Sequence, residues 1–147
     1  MPHRRPGWAL ANDHIVHSQL EASLCDFLSE AQVAHTHWPL NFNGPIAPKQ
    51  WLLYIPSIVL DEAHKKDDRV ILIEPVNSVQ PGGGVRRLQG FRSKYAREYF
   101  VVFIARRALH RRISKDAYDA IFPEEDFEPL GEFLGKLRLQ PPNPLTT

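Results

Sequence analysis

Apolar residues recur at two different spacings along the chain, and these spacings predict alternating helices and strands. Residues 15–31 carry apolar side chains every three or four positions, which is typical of an amphipathic helix, with Asn12 or Asp13 as the expected N-cap. Residues 35–42, 51–60 and 70–74 are rich in β-branched and aromatic side chains and predict three strands. A turn and hairpin loop are expected at residues 43–45, and Pro56 indicates an edge or a bulge.

The second half of the chain continues this alternation. Residues 85–97 predict a helix with one apolar and one basic face, and the nearly all-apolar run 99–105 predicts a central strand covered on both sides. Ser114 is expected to begin a short helix that ends at residue 121, and Asp126 to cap a last helix through residue 137. The predicted order is helix, three strands, helix and strand, followed by a helical extension. This order indicates an α/β fold in which the second helix makes a crossover connection.

Length and composition indicate one ordinary globular domain. The chain has 147 residues, 43% of them hydrophobic and 24% charged, which excludes disordered, collagenous and coiled-coil classes. We expect a flexible arm over residues 1–13, one domain over 14–138 and a flexible Pro-rich tail over 139–147. The sequence shows neither a bilayer-spanning apolar run nor an export signal, and its one cysteine, Cys25, fits a small buried hydrophobe in a reducing cytoplasm.

Charge is segregated along the sequence although the net charge is only +1. Residues 86–115 contain ten of the eighteen Lys and Arg residues and one acid, and residues 116–132 contain seven acids and no base. Such a basic stretch attracts polyanions through counterion release, so nucleic acid is a candidate partner. The alternative is a solvated basic face that pairs with the acidic segment.

The element order and a few letters resemble the PD-(D/E)xK nuclease superfamily, which has a restriction-endonuclease-like αβββαβ core. The resemblance covers about residues 15–105 and rests on Glu21 in the first helix, on IPSIV at residues 55–59 and on ILIEPV at residues 71–76. It implies a mixed sheet flanked by helices. It also implies metal-dependent phosphodiester hydrolysis, in which strand acids hold Mg²⁺ or Mn²⁺, a lysine assists the attacking water, and a helix glutamate completes the metal site.

The sequence keeps two of the acids that the resemblance implies and departs from it at two other positions. Glu21 and Glu74 are retained, but Ser57 stands at the aspartate position and Val76 at the lysine position. A migrated site could recruit Asp61 or Glu62 as the missing metal ligand and Lys94 or Arg87 as the missing cation. The predicted set is therefore Glu21, Glu74 and Asp61 as metal ligands, with Glu21, Glu74 and Lys94 as catalytic residues.

Simpler interpretations compete at the same positions. Glu74 could instead pair with an arginine of the following helix, because a strand acid is costly to bury alone. His35 and His37 point to one face of a strand and could share a metal ion. Because the sequence places no Cys or third His at a ligand spacing nearby, exposed strand histidines are favoured.

The segment 81–87 joins glycines at a helix start to two arginines, which predicts a phosphate contact. It lacks the lysine and hydroxyl of a nucleotide-binding P-loop, so a nucleic-acid backbone fits it better than a nucleotide. The predicted nucleic-acid-binding residues are Gly83, Gly84, Arg86, Arg87, Arg92, Lys94, Arg97, Arg106, Arg107, Arg111 and Arg112.

Three functions follow as expectations. The first is an intracellular nucleic-acid-binding protein, with DNA preferred over RNA, whose nuclease-like site is weakened or lost. The second is an active Mg²⁺- or Mn²⁺-dependent endodeoxyribonuclease with a migrated site. The third is a protein-interaction subunit, a homodimer or a partner of another chain through the acidic C-terminal region.

Overall fold

The computed structural model describes residues 9–11, 14–16, 18–77 and 84–138, and it has a mixed α/β architecture. The elements in chain order are β1 (Ala9–Ala11), β2 (His14–Val16), α1 (Gln19–Glu30), β3 (His35–His37), β4 (Phe42–Ala47), β5 (Gln50–Tyr54), β6 (Ile58–Leu60), β7 (Val70–Val76), α2 (Gly84–Tyr95), β8 (Tyr99–Ala105), α3 (Arg107–His110), β9 (Ala120–Pro123) and α4 (Glu128–Arg138). Single 3₁₀ turns lie at Glu62–His64 and Lys115–Ala117.

A five-stranded mixed sheet forms the centre of the molecule, in the order β3-β6-β7-β8-β9. The first three strands pair antiparallel, while β7, β8 and β9 run parallel to one another. Helix α2 connects the parallel strands β7 and β8, which confirms the predicted crossover connection. Strand β8 has a partner on each side and is buried on both faces, as its apolar run predicted.

Two apolar cores cover the two faces of this sheet. On one face, α1 and α4 pack through residues such as Leu24, Leu28 and Leu130. On the other face, α2 and the β4–β5 hairpin pack through residues such as Phe91 and Tyr54. The alternation of side chains along each strand divides the sheet residues between these two cores.

The first helix begins later than its apolar spacing predicted. Ser18, not Asn12 or Asp13, is the N-cap, and its hydroxyl accepts a hydrogen bond of 3.0 Å from the backbone N–H of Glu21. The apolar residues before Ser18 instead belong to β2, which pairs with β1 in a small separate ribbon. Three residues are too few to distinguish the period of a helix from that of a strand, so the local pattern did not predict β2.

Pro56 divides the predicted second strand into two strands of different sheets. Strand β5 pairs with β4 in a hairpin, and β6 pairs with β3 and β7 in the main sheet. Proline has no N–H to donate to a ladder, so the chain changes sheets at this point. The predicted first strand likewise ends at His37, and Phe42 begins the hairpin instead.

The C-terminal third contains one prediction that is wrong and one that is confirmed. Residues 114–121 were expected to form a helix, but only the 3₁₀ turn forms there, and strand β9 follows. Asp119 holds β9 against β8, because its carboxylate accepts a hydrogen bond of 2.8 Å from Val101 N–H and its own N–H donates to the Val101 carbonyl. The last helix forms as predicted, and the Asp126 carboxylate accepts from Glu128 N–H at 3.0 Å.

The predicted tail, residues 139–147, lies outside the described residues, as does most of the predicted arm. Among the described residues, the longest helices have 12 residues, and none combines the length and apolar character that a membrane span requires.

Candidate functional site

Glu74 is a buried acid on the central strand β7. It lies on the face of the sheet that packs against α2, between Leu72 and Val76 of that core. The backbone N–H of Ser57 donates a hydrogen bond of 2.6 Å to Glu74 Oε1. Burial raises the pKa of Glu74 to about 7, although its hydrogen bond to Ser57 and the nearby Tyr54 hydroxyl lower it. Glu74 therefore changes its protonation state near neutral pH.

Tyr54 of β5 lies beside this carboxyl group. Burial, followed by the negative charge of Glu74, raises the pKa of the Tyr54 hydroxyl well above its usual value, and the positive charge of Arg87 opposes that shift. Among the described residues, the Tyr54 hydroxyl has no hydrogen bond of good geometry, so its coupling to Glu74 is mainly electrostatic. Arg87 is consequently the basic residue of α2 whose field reaches this site.

Glu21 is the second buried acid, and it lies in the first turn of α1. Its carboxylate accepts a hydrogen bond of 2.9 Å from Nδ1 of His37 on β3, and the two side chains are only 2% and 3% exposed. The negative charge of Glu21 contributes, after burial, to the raised pKa of Glu74. The two acids are therefore close enough to interact electrostatically, although α1 and α2 cover opposite faces of the sheet.

Two residues of the predicted set lie elsewhere. Asp61 follows the opposite end of β6 from Ser57, about 13 Å along a strand, and its side chain caps the 3₁₀ turn through Ala63 N–H. Glu62 is exposed within that turn. Lys94 is near the end of α2, where its Nζ donates to the Pro45 carbonyl at 2.9 Å.

The crossover geometry explains why Lys94 is far from Glu74. Because β7 and β8 are parallel, α2 must run back from the carboxyl end of β7 to the start of β8. Its first turn therefore lies near Glu74 and its last turn at the other end of the sheet. Arg87, in the first turn, is therefore better placed than Lys94 to act on this site, and its charge reaches Tyr54 beside Glu74.

A cleft of about 860 Å³ lies between α2 and the β4–β5 hairpin. Arg86 and Arg87 form part of its α2 wall, while the hairpin contributes Trp51, 68% exposed, and Leu53, 56% exposed. Trp38 also lines the cleft, and its backbone N–H donates to the carbonyl of Ser57, the residue whose own N–H donates to Glu74. We call this cavity the arginine–tryptophan cleft.

The other predicted nucleic-acid-binding residues divide into two groups. Arg92, Arg106 and Arg107 form ion pairs with Asp119, Glu124 and Asp126, all within the acidic segment. Over the described ranges no ion pair is found for Arg86, Arg87, Arg97, Arg111 or Arg112, all of which are exposed. Gly84 is the first residue of α2, and Gly83 lies outside the described residues.

The chain matches no protein-family model, no curated protein and no solved structure.

A group of three potential metal ligands was missed by sequence reasoning. Cys25 Sγ and one ring nitrogen each of His35 and His37 lie within 4.8 Å of one another. The alternation of the two histidines was recognised, but Cys25 was interpreted only as a core residue. One signal for including Cys25 was its spacing from Glu21: the two residues are four apart, which places both on one face of α1.

Proposed function

We propose that this chain is a nucleic-acid-binding protein, built on a restriction-endonuclease-like core, whose metal-dependent hydrolytic site is weakened or lost. This proposal rests on the arginine–tryptophan cleft. Guanidinium groups attract phosphates, and an exposed indole offers a flat surface on which a base stacks. Both features line one cavity, at the end of the sheet where the buried acids also lie.

The order of elements supports the proposed core. After α1, the strands β3, β6 and β7 follow in the main sheet, and then α2 and the parallel strand β8. This is the αβββαβ order of the nuclease superfamily that the sequence resembles, with the β4–β5 hairpin inserted between its first two strands. Ser57, at the expected aspartate position, donates its backbone N–H to Glu74, and this contact supports the proposed alignment.

The chemistry around Glu74 supports a weakened site. Ser57 contributes a backbone N–H where a metal site would need a carboxylate, and Val76 is buried where a lysine would orient water. Asp61 is not placed to compensate. The Glu21 carboxylate is already bonded to His37. These contacts favour a weakened site over one that holds Mg²⁺ or Mn²⁺ through several oxygen ligands.

DNA binding tests this function, with fluorescence anisotropy on labelled single-stranded and duplex DNA over a series of salt concentrations. We expect the double variant Arg86→Ala/Arg87→Ala to weaken binding and to reduce the salt slope by about 2, because each lost phosphate contact removes about 1. Trp51→Ala should weaken binding to single strands more than to duplex.

The charge-matched control is Lys65→Ala/Lys136→Ala. Lys136 is an exposed residue of α4, on the sheet face opposite the cleft, and Lys65 follows the 3₁₀ turn that contacts α4. This variant loses the same charge and should bind like the wild type. Equal losses in both double variants, or no binding by the wild type at low salt, would contradict the proposal. The second result would favour a protein-interaction subunit.

An active endonuclease is the second candidate, because Glu21 and Glu74 are both buried and lie within electrostatic range of each other. Arg87, rather than Lys94, would supply the cation. This candidate requires cleavage of plasmid or branched DNA in Mn²⁺ that EDTA and Glu74→Gln both abolish. If DNA is retarded but not cleaved, in wild type and variant alike, the second candidate is wrong and only the proposed binding function stands.

A further inference from the structure

Helix α1 and edge strand β3 present four chemically active side chains to one another. Glu21 and Cys25 lie one turn apart on the same face of α1, and His35 and His37 lie on the same face of β3. Strand β3 pairs with β6 so that the two histidines stand opposite Leu60 and Ile58, which belong to the α1-side core. The side chains of α1 and β3 therefore meet within a buried part of the protein.

The distances among the possible ligand atoms suit a small tetrahedral ion. Cys25 Sγ and His35 Nε2 are 3.4 Å apart, and the three ligand atoms all lie within 4.8 Å of one another. Around a tetrahedral zinc ion, a sulfur and a nitrogen ligand are about 3.5 Å apart, given bonds of about 2.3 and 2.0 Å. The Cys25–His35 pair already has this separation, and a ring nitrogen of His37 lies within 4.8 Å of both atoms.

Hydrogen bonds orient both imidazole rings toward such an ion. Nδ1 of His35 lies 2.9 Å from the Val33 carbonyl, which can only accept, so this nitrogen carries the proton and Nε2 presents its lone pair to Cys25. Nδ1 of His37 donates in the same way to Glu21, so Nε2 is its metal-binding atom. A carbonyl or carboxylate behind each histidine is the usual support of a protein metal site.

We propose that Cys25, His35 and His37 bind a zinc-class divalent ion that fastens α1 to β3, with Glu21 as a positioning residue. Thiolate and imidazole are the ligands that zinc prefers, whereas Mg²⁺ and Mn²⁺ prefer oxygen. On binding, the Cys25 thiol loses its proton to solvent, and the thiolate forms the bond to the metal. Three protein ligands leave a fourth position for a water molecule. This site lies apart from the arginine–tryptophan cleft and does not depend on nucleic-acid binding.

Titration of the metal-free, tag-free protein with Co²⁺ tests the proposal. Because Cys25 is the single cysteine, a near-ultraviolet thiolate-to-cobalt charge-transfer band can arise from no other residue. We expect one equivalent of Co²⁺ to produce this band together with the visible absorption of a four-coordinate site, and Zn²⁺ to displace the cobalt. Affinity should fall as the pH is lowered, because protons compete for the ligands.

Variants separate ligands from the positioning residue. Cys25→Ser should abolish the charge-transfer band, and His35→Gln should weaken binding by at least 100-fold. Glu21→Gln should keep the band but weaken binding by about 10- to 100-fold, because only the support of His37 is altered. His110→Gln, on α3 beside the opposite edge strand β9, is the matched control and should bind like the wild type.

The wild-type measurement keeps the proposal falsifiable if buried Cys25 tolerates no substitution. If the wild type binds Co²⁺ without a charge-transfer band, or does not bind one equivalent, Cys25 and His35 form only a thiol–imidazole hydrogen bond and the proposal is wrong. Binding by His35→Gln that equals the wild type would also overturn it.

Discussion

At the scale of single residues, Glu74 makes the stability of the fold depend on pH. Its pKa rises from 4.5 to about 7 on folding because the carboxyl group is buried. The folded state therefore holds this proton more tightly than the unfolded chain does. The contribution of Glu74 to stability is thus greatest below pH 4.5, falls as the pH rises toward 7, and is constant above it. A shift of this size corresponds to a loss of about 3 kcal/mol.

Glu74→Gln should remove this dependence, because the amide oxygen can still accept from Ser57 N–H but cannot ionise. We expect the variant to be more stable than the wild type at pH 8, by up to about 3 kcal/mol, and to be similar to it near pH 4.5. Urea denaturation at a series of pH values measures this difference. Glu132→Gln, at an exposed position of α4, is the control. If the free energies of unfolding of the Glu74 variant and the wild type differ by the same amount at both pH values, the ionisation of Glu74 does not cause the pH dependence.

Individual residues also show what a sequence can reveal about a site. The acids Glu21 and Glu74 were identified because they stand where the resemblance to the nuclease superfamily implies acids, in a helix and a strand that the local pattern predicts. Cys25 was not connected to His35 because ten residues and a helix end separate them, and only the packing of α1 on β3 brings Sγ to Nε2. Lys94 and Arg87 were both candidates for the missing cation because both lie in the helix that follows β7, and the direction of α2 decides which of them lies nearer Glu74.

At the scale of elements, the close approach of α2 to the hairpin depends on Gly90. A Cβ atom at this position would lie 2.8 Å from Cδ1 of Ile46, which is too close for two carbon atoms. In an open helix, replacing glycine with alanine stabilises by about 1 kcal/mol. At Gly90 that gain in stability is opposed by the shift that the Ile46 side chain must make. The same shift should alter the hairpin and the arginine–tryptophan cleft.

Gly135 of α4 provides the matched comparison, because a Cβ atom there meets nothing within 4 Å. We expect Gly135→Ala to raise the free energy of unfolding by about 1 kcal/mol, and Gly90→Ala to gain clearly less or to lose stability. Thermal and urea unfolding measure both. An equal gain in the two variants would show that Ile46 moves aside without cost and that Gly90 does not set the width of the cleft.

The elements that sequence patterns predicted well are those with long, consistent periods. Strand β8 is seven apolar residues buried on both faces, and α2 has its apolar face on Leu88 and Phe91, so both were identified. Strand β9 was missed because it is stabilised by pairing with β8 and by the hydrogen bonds of Asp119, which are contacts distant in sequence. A hairpin loop after residue 42 and a strand from residue 51 were expected, but the position of the β4–β5 hairpin over α2 depends on aromatic packing among Phe42, Tyr54 and Phe91.

At the scale of the whole molecule, the basic stretch is divided by its ion pairs. Arg106 and Arg107 stand beside Glu124 and Asp126, whereas Arg111 and Arg112 are exposed and follow α3 on the α2 side of the sheet. Surface ion pairs stabilise a fold by at most about 1 kcal/mol, but the acids also repel a nearby phosphate. In the proposed complex with nucleic acid, the attraction should therefore come mainly from the arginines without an acidic neighbour.

This division predicts unequal effects from two variants that remove the same charge. Arg111→Ala/Arg112→Ala should reduce the slope of log affinity against log salt by up to about 2, and Arg106→Ala/Arg107→Ala should reduce it by less than about 1. Anisotropy titrations from low to moderate salt on one DNA duplex compare them directly. Equal changes in slope would mean that binding depends on net charge alone, since a local interface must distinguish paired from unpaired arginines. A larger change for Arg106 and Arg107 would place the interface beside the acidic segment instead, because phosphates would then have to displace Glu124 and Asp126.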